Sequence, residues 1–253
     1  MLLYIGSAVF LGLVTVTAVV TIEATRSMRR IGVAQAQSLA EALAGSSGKT
    51  LNDSIVVARS VAEALTGLQA SEASRRLADG ILRQTLADNK DLLGVWTLWE
   101  PNAFDGHDKD FVNKPGHDAT GRYIPYWHRG ASQPQVEPLK DYLVEGAGDY
   151  YLLSKKANAE VVMEPYVYKV GEHEVLMTSL VVPIHNAAGD FVGVAGVDIP
   201  LQALSEAIAH TKVGDSGYAA LVSNQGTYVA HPNAARAGKP MVATDPWVKP
   251  HLD

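Results

Sequence analysis

The first 22 residues form an apolar segment without a charged side chain. Such a segment is long enough to cross a bilayer as an α-helix. A cleaved signal peptide would have a shorter apolar region preceded by a basic segment, so the pattern favours a retained anchor. Arg26, Arg29 and Arg30 follow the segment. A count of basic residues alone would place the next domain in the cytoplasm, although long domains can be translocated despite such charges.

Residues 23–68 have the pattern of one long helix that continues out of the membrane. They contain no proline and are dominated by Ala, Ser, Gln, Glu and Leu. Apolar residues recur at helical spacing and form one stripe that must be covered. Its members are Leu51, Ile55, Ala58, Ala62, Leu65 and Leu68. The helix is either a spacer or a rod that packs beside a second copy in a homodimer and carries displacement to the membrane. Its weakest point is the Gly-Ser-Ser-Gly patch at 45–48.

Three apolar segments near the middle of the chain predict consecutive antiparallel strands. Residues 161–168, 175–185 and 191–198 are rich in β-branched and apolar side chains and are separated by short turns. Gly193 and Gly196 in the third strand leave space for another backbone or for a ligand. Asp198 is a charge at the end of an otherwise apolar strand. It either caps the helix that follows or binds a partner.

Shorter elements flank these strands. A helix over 72–87 leads into an apolar and aromatic strand over 92–99, and a helix-like segment lies within 141–156. After the three strands, a helix is predicted over 200–211, with proline suited to its first turn. Strands over 218–223 and 227–231 then form a hairpin that opens a second, smaller module. The chain stops at Asp253, before that module has enough strands to close, so we expect it to be incomplete.

A polar segment over 100–120 forms a long loop, a type of segment that is usually functional or mobile. It contains Asp105, His107, Asp108 and Asp110. Their spacing does not match a calcium-binding EF-hand, because there is no glycine at the turn position and no closing glutamate. We therefore predict solvated loop polarity and no metal site.

Residues 121–129, GRYIPYWHR, are the densest aromatic and basic cluster in the chain. On a strand, Tyr123, Trp127 and Arg129 share one face, and Arg122 and His128 lie on the other, subject to a kink at Pro125. Aromatic rings beside a guanidinium are suited to hold a small planar or anionic group.

Alternatives remain for these side chains. Trp127 fits a binding pocket and a buried core about equally well, and Arg122 is predicted to be an exposed loop charge. Tyr166 and Tyr168 are two positions apart and point the same way. Their hydroxyls either face a cavity or pack against the long helix.

Composition narrows the class of function. The chain has 253 residues, 47% of them hydrophobic and 19% charged, a net charge of −6 and no cysteine. A largely folded protein is expected, and the absence of a Lys/Arg-rich run argues against nucleic acid as a partner. Disulfides, thiolate nucleophiles and Cys-ligated metal sites are excluded. No G-x-S-x-G or H-E-x-x-H motif is present, which argues against an enzyme.

Several motifs together resemble the extracytoplasmic double Cache sensor domain of bacterial chemoreceptors and sensor enzymes. The most specific are VGVAGVDI at 192–199 and VGDSGYAALVSNQGTYVAHP at 213–232. GRYIPYWHR and the PYVY segment at 165–168 are weaker. The resemblance covers almost the whole chain after the apolar segment.

This resemblance implies an α+β fold with a long N-terminal helix and two PAS-like modules, each an antiparallel sheet flanked by helices. The expected boundaries are a transmembrane helix over 1–22, a helical stalk over 23–70, a membrane-distal module over 71–211 and the start of a membrane-proximal module over 212–253. It implies a periplasmic sensor in the inner membrane, a homodimer, that binds a small molecule without a cofactor or metal. A chemoreceptor is expected first, then a histidine kinase or diguanylate cyclase; a membrane-anchored periplasmic enzyme or a structural dimer is a weaker alternative.

The resemblance also implies site residues. Asp198 matches the aspartate that accepts hydrogen bonds from a ligand ammonium group in amine and amino acid sensors. Trp127 and Tyr166 match aromatic residues of the same sensors. Tyr123, Tyr126, Tyr168 and Arg129 complete the expected ligand-binding set. Pro125 stands where a carboxylate-binding arginine would be and Tyr168 where a second aspartate would be, so the ligand is an amine, an amino-acid-like compound, a carboxylate or a nitrogenous ring.

Overall fold

The computed structural model describes residues 2–129, 133–214 and 217–245. Helix α1, Leu2–Ala70, runs for 69 residues without a break, and the Gly-Ser-Ser-Gly patch does not interrupt it. Within the described residues, α1 is the one helix that is long and apolar enough to cross a membrane, counted from Phe10 onward. The apolar stripe of α1 is covered by the protein's own sheet and second helix, because Ile55, Ala58, Ala62 and Leu65 are buried in that core.

The remaining elements alternate between short helices and strands. The helices are α2 (Arg75–Asp88), α3 (Asp149–Ala157), α4 (Gln202–Ala209) and α5 (Met241–Thr244). The strands are β1 (Gly94–Trp99), β2 (Pro125–Arg129), β3 (Pro134–Pro138), β4 (Val161–Val162), β5 (Tyr166–Val170), β6 (His173–His185), β7 (Phe191–Pro200), β8 (Lys212–Val213), β9 (Gly217–Tyr218), β10 (Leu221–Val222) and β11 (Tyr228–Ala230). The α+β class and the long N-terminal helix predicted from the sequence are confirmed.

A seven-stranded antiparallel sheet forms the main module. Its order is β3-β2-β1-β7-β6-β4, with β5 also paired to β6. The three predicted central strands pair antiparallel, but the first of them is divided into β4 and β5. Pro165 lies between the two pieces, and proline cannot donate to a ladder. The helix after β7 begins at Gln202 rather than at 200, because Pro200 still belongs to the strand.

The two faces of this sheet pack against different elements. One face, here called the helix face, packs against α1 and α2 and includes Val95, Leu180 and Val197. The opposite face, here called the α3 face, packs against the segment around α3 and includes Trp96 and Val194. Side chains alternate between the faces because successive strand residues point to opposite sides.

Glycines allow large rings to lie flat on the α3 face. Gly196 pairs with Trp96 across β1 and β7, and a Cβ on Gly196 would overlap the Trp96 indole. Gly193 lies against the backbone of Leu98 and Trp99, so the predicted close approach of another backbone is found there, whereas a ring occupies the space at Gly196.

Gly196→Ala is therefore expected to lower the free energy of unfolding by about 1–3 kcal/mol, because the added methyl group overpacks the Trp96 site. Gly80→Ala in α2 is the matched control, since a Cβ there meets no atom within 4 Å; it should stabilise the helix by up to about 1 kcal/mol. Urea unfolding of the detergent-solubilised chain, followed by tryptophan fluorescence, measures both changes. Equal stabilities for the two variants would contradict this packing.

The described residues after α4 form two small hairpins and a short helix. Strand β8 pairs with β9, and β10 pairs with β11. The single strand predicted over 218–223 is thus wrong, because its two ends pair with different partners. Arg236 and Tyr228 both bind Asp245, with Arg236 Nη1 at 2.6 Å and the Tyr228 hydroxyl at 2.7 Å from Oδ2.

Candidate ligand-binding site

Asp198 lies near the end of β7 on the α3 face and is only 1% exposed. Its Oδ1 accepts hydrogen bonds from Trp96 Nε1 at 2.9 Å and from the Ser179 hydroxyl at 2.6 Å. Ser179 in turn lies 2.7 Å from the Tyr166 hydroxyl, which must then be the donor. The N-cap position of α4 is Leu201 and has no side-chain cap. Asp198 is therefore not a helix cap.

Aromatic rings surround this carboxylate. Tyr126, Tyr166 and Tyr168 lie on the α3 face, and Tyr150 of α3 packs over them, with ring centroids of Tyr150 at 5.4 Å from Trp96 and 5.9 Å from Tyr168. The Tyr168 ring lies 5.8 Å from Tyr126 and 6.3 Å from Tyr166. These five residues, Trp96, Tyr126, Tyr150, Tyr166 and Tyr168, are called the aromatic cluster below.

Burial raises the pKa of Asp198 to about 6, although hydrogen bonds from Ser179, Trp96 and Tyr126 oppose the shift. No basic side chain among the described residues contributes to this pKa or forms an ion pair with Asp198. Burial also raises the pKa of the Tyr166 and Tyr126 hydroxyls well above their ordinary value, and the charge of Asp198 adds to both shifts. Within the part of the chain that the structure describes, the site thus combines a buried carboxylate with neutral phenols and has no counter-charge.

Tyr123, Trp127 and Arg129 lie on the helix face and do not join this group. The Tyr123 hydroxyl and Trp127 Nε1 donate to Oδ1 of Asp79 in α2, at 3.1 and 3.2 Å. Arg129 donates to the carbonyls at the end of α2, those of Leu86, Asn89 and Leu92. The sequence correctly placed these three residues on one face, but that face holds α2 against the sheet. Of the seven predicted site residues, the structure brings together Tyr126, Tyr166, Tyr168 and Asp198.

The prediction that Arg122 is an exposed loop charge is wrong. Arg122 is 4% exposed, and its guanidinium donates to the carbonyl of Trp99 and to the Tyr151 hydroxyl. Its Nη2 also lies 3.5 Å from Oε1 of Glu100. Lys155 of α3 binds the same Glu100 oxygen at 2.8 Å. This group of residues, Glu100, Arg122, Tyr151 and Lys155, fixes α3 over the aromatic cluster.

The predicted solvated polarity of the 100–120 loop is also wrong for two of its acids. Arg75, at the start of α2, is 2% exposed and bonds Asp105 Oδ1 at 2.6 Å and Asp108 Oδ1 at 2.7 Å. The Phe111 ring lies 4.2 Å from the guanidinium carbon. His107 and Asp110 do remain exposed. A buried guanidinium needs charged or polar partners, and Asp105 and Asp108 supply them to Arg75. These ion pairs anchor the loop to α2.

Three members of the site were missed from the sequence: Trp96, Ser179 and Tyr150. Trp96 and Ser179 face Asp198 only because β1 and β6 pair with β7 in a register that places Gly94 and Ser179 opposite Asp198. The alternation of strand residues could have indicated their faces, but not this register. Tyr150 lies on α3, between β3 and β4 in sequence, and no local pattern marked it.

Comparison with known families identifies the fold. Residues 79–206 match the first PDC sensor domain of methyl-accepting chemotaxis protein-like proteins, and residues 175–249 match a Cache 3/Cache 2 fusion domain. The chain belongs to the family of PDC (Cache) sensor domains of methyl-accepting chemotaxis proteins. It is a non-catalytic ligand-binding sensor domain of the type found in chemoreceptors and histidine kinases.

Individual relatives agree with this family. Methyl-accepting chemotaxis protein TlpQ of Pseudomonas aeruginosa is 33% identical over 181 residues, which are 65% of this chain and 25% of TlpQ. The chain thus spans about a quarter of the length of TlpQ. The extracellular domain of mmHK1S-Z3, a proposed histidine kinase, is 33% identical with a TM-score of 0.76, covering 85% of this chain and 76% of that domain. The ligand-binding domain of the Pseudomonas aeruginosa amino acid chemoreceptor PctC, in complex with GABA, shares the fold at 18% identity and a TM-score of 0.56, covering 83% and 79%.

Proposed function

We propose that residues 71–211 are the ligand-binding module of a transmembrane chemoreceptor and that Asp198 binds the ammonium group of a small amine. One observation carries this proposal: Asp198 is buried among aromatic rings and has no cationic partner among the described residues. A carboxylate without a counter-charge is costly to bury. A ligand that brings a positive charge removes this cost.

The aromatic cluster supports a cation as the ligand. Tyrosine and tryptophan rings attract an ammonium group placed over their faces, by about 0.5–2 kcal/mol for each contact. The hydrogen bonds from Trp96 and Ser179 both fall on Oδ1 of Asp198. The carboxylate also has a hydrogen bond with the Tyr126 hydroxyl, and because each carboxylate oxygen has two lone pairs, Oδ2 can still accept a hydrogen bond from a ligand. The Tyr166 hydroxyl supports the same carboxylate through Ser179. The site therefore has an orienting network and a carboxylate oxygen that can accept a further hydrogen bond.

A ligand recognised through a carboxylate alone is less suited to this site. The two arginines near the sheet are engaged elsewhere, Arg122 with Trp99 and Tyr151 and Arg129 with the end of α2. Neither lies free on the α3 face. GABA, held by PctC, carries an ammonium group as well as a carboxylate, so its class of ligand remains compatible with Asp198 through the ammonium end.

The fold suggests how a conformational change caused by ligand binding would be transmitted to the membrane. Strand β7 presents Asp198 to the α3 face, while its neighbours Val197 and Ile199 pack against α1 on the helix face. A ligand that closes α3 over the aromatic cluster would favour some conformations of β7 over others. Because β7 packs against α1, the packing of α1 would change as well. In this proposal α1 anchors the protein in the inner membrane with the sensor module in the periplasm, as a homodimer. The similarity to mmHK1S-Z3 makes a histidine kinase the second candidate for the whole protein.

A thermal-shift panel on the detergent-solubilised chain tests the ligand class. The panel compares alkylamines, amino acids, carboxylates and neutral alcohols. Amines are expected to raise the melting temperature, because a ligand at about 100 times its Kd adds about 2.7 kcal/mol of stability. Stabilisation by carboxylates but not by amines would contradict the proposal.

Amine affinity is expected to fall as the pH is lowered through about 6. The folded pKa of the free Asp198 is raised to about 6, so below that pH the carboxyl is protonated and cannot pair with an ammonium group. The association constant should then fall roughly tenfold per pH unit below 6. Isothermal titration at pH 5.0, 6.0 and 7.5 measures it, and constant affinity over this range would contradict the assignment.

The raised pKa of Asp198 also makes the stability of the unliganded chain depend on pH. Because the folded pKa lies above the ordinary value of 3.8, the neutral carboxyl favours the folded state. This contribution of Asp198 is fully present below about pH 4 and is lost as the pH rises through about 6. A bound amine offsets the loss at neutral pH.

A further inference from the structure

One buried polar atom on the α3 face, Nδ1 of His128, has no hydrogen-bond partner among the described residues. His128 is 3% exposed and belongs to β2. A buried donor or acceptor without a partner is costly, and native structures contain few of them. The Tyr126 ring stacks with the His128 ring, with centroids 5.3 Å apart, and the Tyr126 hydroxyl is directed to Asp198, whose charge and hydrogen bond add to the effect of burial on the pKa of Tyr126. Nδ1 of His128 therefore lies in a region that Tyr126 links to Asp198.

That region is continuous with Asp198. In the sheet register Gly94 lies opposite Asp198 on one side and opposite His128 on the other. Gly94 has no side chain, and a Cβ there would lie 2.8 Å from the Tyr126 hydroxyl. The Tyr126 ring therefore covers Gly94. Asp198, Gly94 and His128 are called the row below, and the Tyr126 hydroxyl lies between its two ends. Two strand spacings separate the Cα atoms of Asp198 and His128, which is roughly 10 Å.

The protonation of His128 can be inferred from its surroundings. Its Nε2 lies 3.6 Å from Glu137 Oε1, which favours a proton on Nε2. Desolvation lowers the pKa of His128, with a smaller contribution from the charge of Lys140, and outweighs the charge of Glu137 and a hydrogen bond with the Arg129 backbone, which raise this pKa. The imidazole is then neutral at pH 7, and Nδ1 is an acceptor. Both ends of the row, Asp198 and His128, accept hydrogen bonds.

We infer that the amine site extends along this row and that the cognate ligand carries a second hydrogen-bond donor, an O–H or N–H group, which binds His128 Nδ1. The inference rests on the proposed binding of an ammonium group at Asp198. Allowing a hydrogen bond of roughly 3 Å at each end, the two donor atoms of the ligand are separated by roughly 4–7 Å. The connecting carbon atoms pass over the Tyr126 ring. His128 then makes the site bind amines with a second donor more tightly than simple alkylamines.

Matched probes test this inference. In 3-amino-1-propanol and n-butylamine, or 4-amino-1-butanol and n-pentylamine, a hydroxyl replaces a methyl group at the same position. Isothermal titration of the full chain in detergent is expected to give at least roughly tenfold tighter binding for one amino alcohol than for its alkylamine. In His128→Phe, which keeps the ring stacked on Tyr126, this preference should fall to less than about twofold.

The possible outcomes separate the two proposals. Equal binding of amino alcohol and alkylamine, with both affinities lost in Asp198→Asn, would overturn the His128 subsite and leave the amine site in place. A preference for the amino alcohol that persists in His128→Phe would also overturn the subsite. No binding of any probe to the wild-type chain would overturn the amine site and the subsite together. The melting temperature of His128→Phe, expected within a few degrees of wild type, shows that the variant is folded.

Discussion

Asp198→Asn is expected to weaken amine binding at pH 7.5 by roughly 2–5 kcal/mol, the usual cost of removing one partner from a buried charge pair. The asparagine carbonyl can still accept the hydrogen bonds of Trp96 and Ser179 that now fall on Oδ1. The change therefore removes the charge and leaves the local network in place. Isothermal titration with the most stabilising amine of the panel measures the loss.

Asp79→Asn is the matched control for this experiment. Asp79 is a partly buried carboxylate on the helix face, and burial raises its pKa as well. It accepts hydrogen bonds from Tyr123 and Trp127, the aromatic residues that the sequence placed in the site. Its replacement should change amine affinity by less than about twofold. An equal loss of amine affinity in both variants, or a loss only in Asp79→Asn, would contradict a site on the α3 face and favour one on the helix face.

Arg75→Met is expected to lower the free energy of unfolding by about 3–5 kcal/mol, because it leaves buried acidic groups without their cation. Arg75 joins Asp105 and Asp108 and also donates to the carbonyl of Gly121 at 2.8 Å. These contacts fix the 100–120 loop against α2. Methionine keeps much of the side-chain volume, so the loss reports on the ion cluster and not on a cavity.

Arg76→Met provides the control on the same helix, because Arg76 is exposed. Its effect should be within about 0.5 kcal/mol. Urea unfolding followed by tryptophan fluorescence compares the two variants directly, since Trp96, Trp99 and Trp127 all lie in the sheet. A cost below about 1 kcal/mol for Arg75→Met would show that the cluster does not anchor the loop.

The faces of the strands could be predicted from the sequence, but their roles could not. Alternation correctly grouped Tyr123, Trp127 and Arg129, and it also grouped Tyr166 with Tyr168. Which group meets a ligand depends on which side of the sheet α1 and α2 cover. That choice is made by the pairing of distant strands and by helix packing, neither of which appears in a local pattern.

The buried charges were the largest errors for a related reason. Arg122 and Asp108 lie in polar segments where most charges are solvated. Their partners come from distant positions: Tyr151 and Glu100 for Arg122, and Arg75 for Asp108. A lone charge in a loop looks the same in sequence whether or not such a partner exists. Asp198 could be singled out from the sequence as an unusual charge because it lies at the end of an otherwise apolar strand.

A crystal structure of the chain with a stabilising amine bound is the most direct test of the account. The amine site predicts an ammonium nitrogen within hydrogen-bond distance of Asp198 Oδ2, with its alkyl chain among the rings of Tyr126, Tyr166 and Tyr168. Electron density for the amine against Asp79 and Trp127 on the helix face, with Asp198 unchanged, would contradict it.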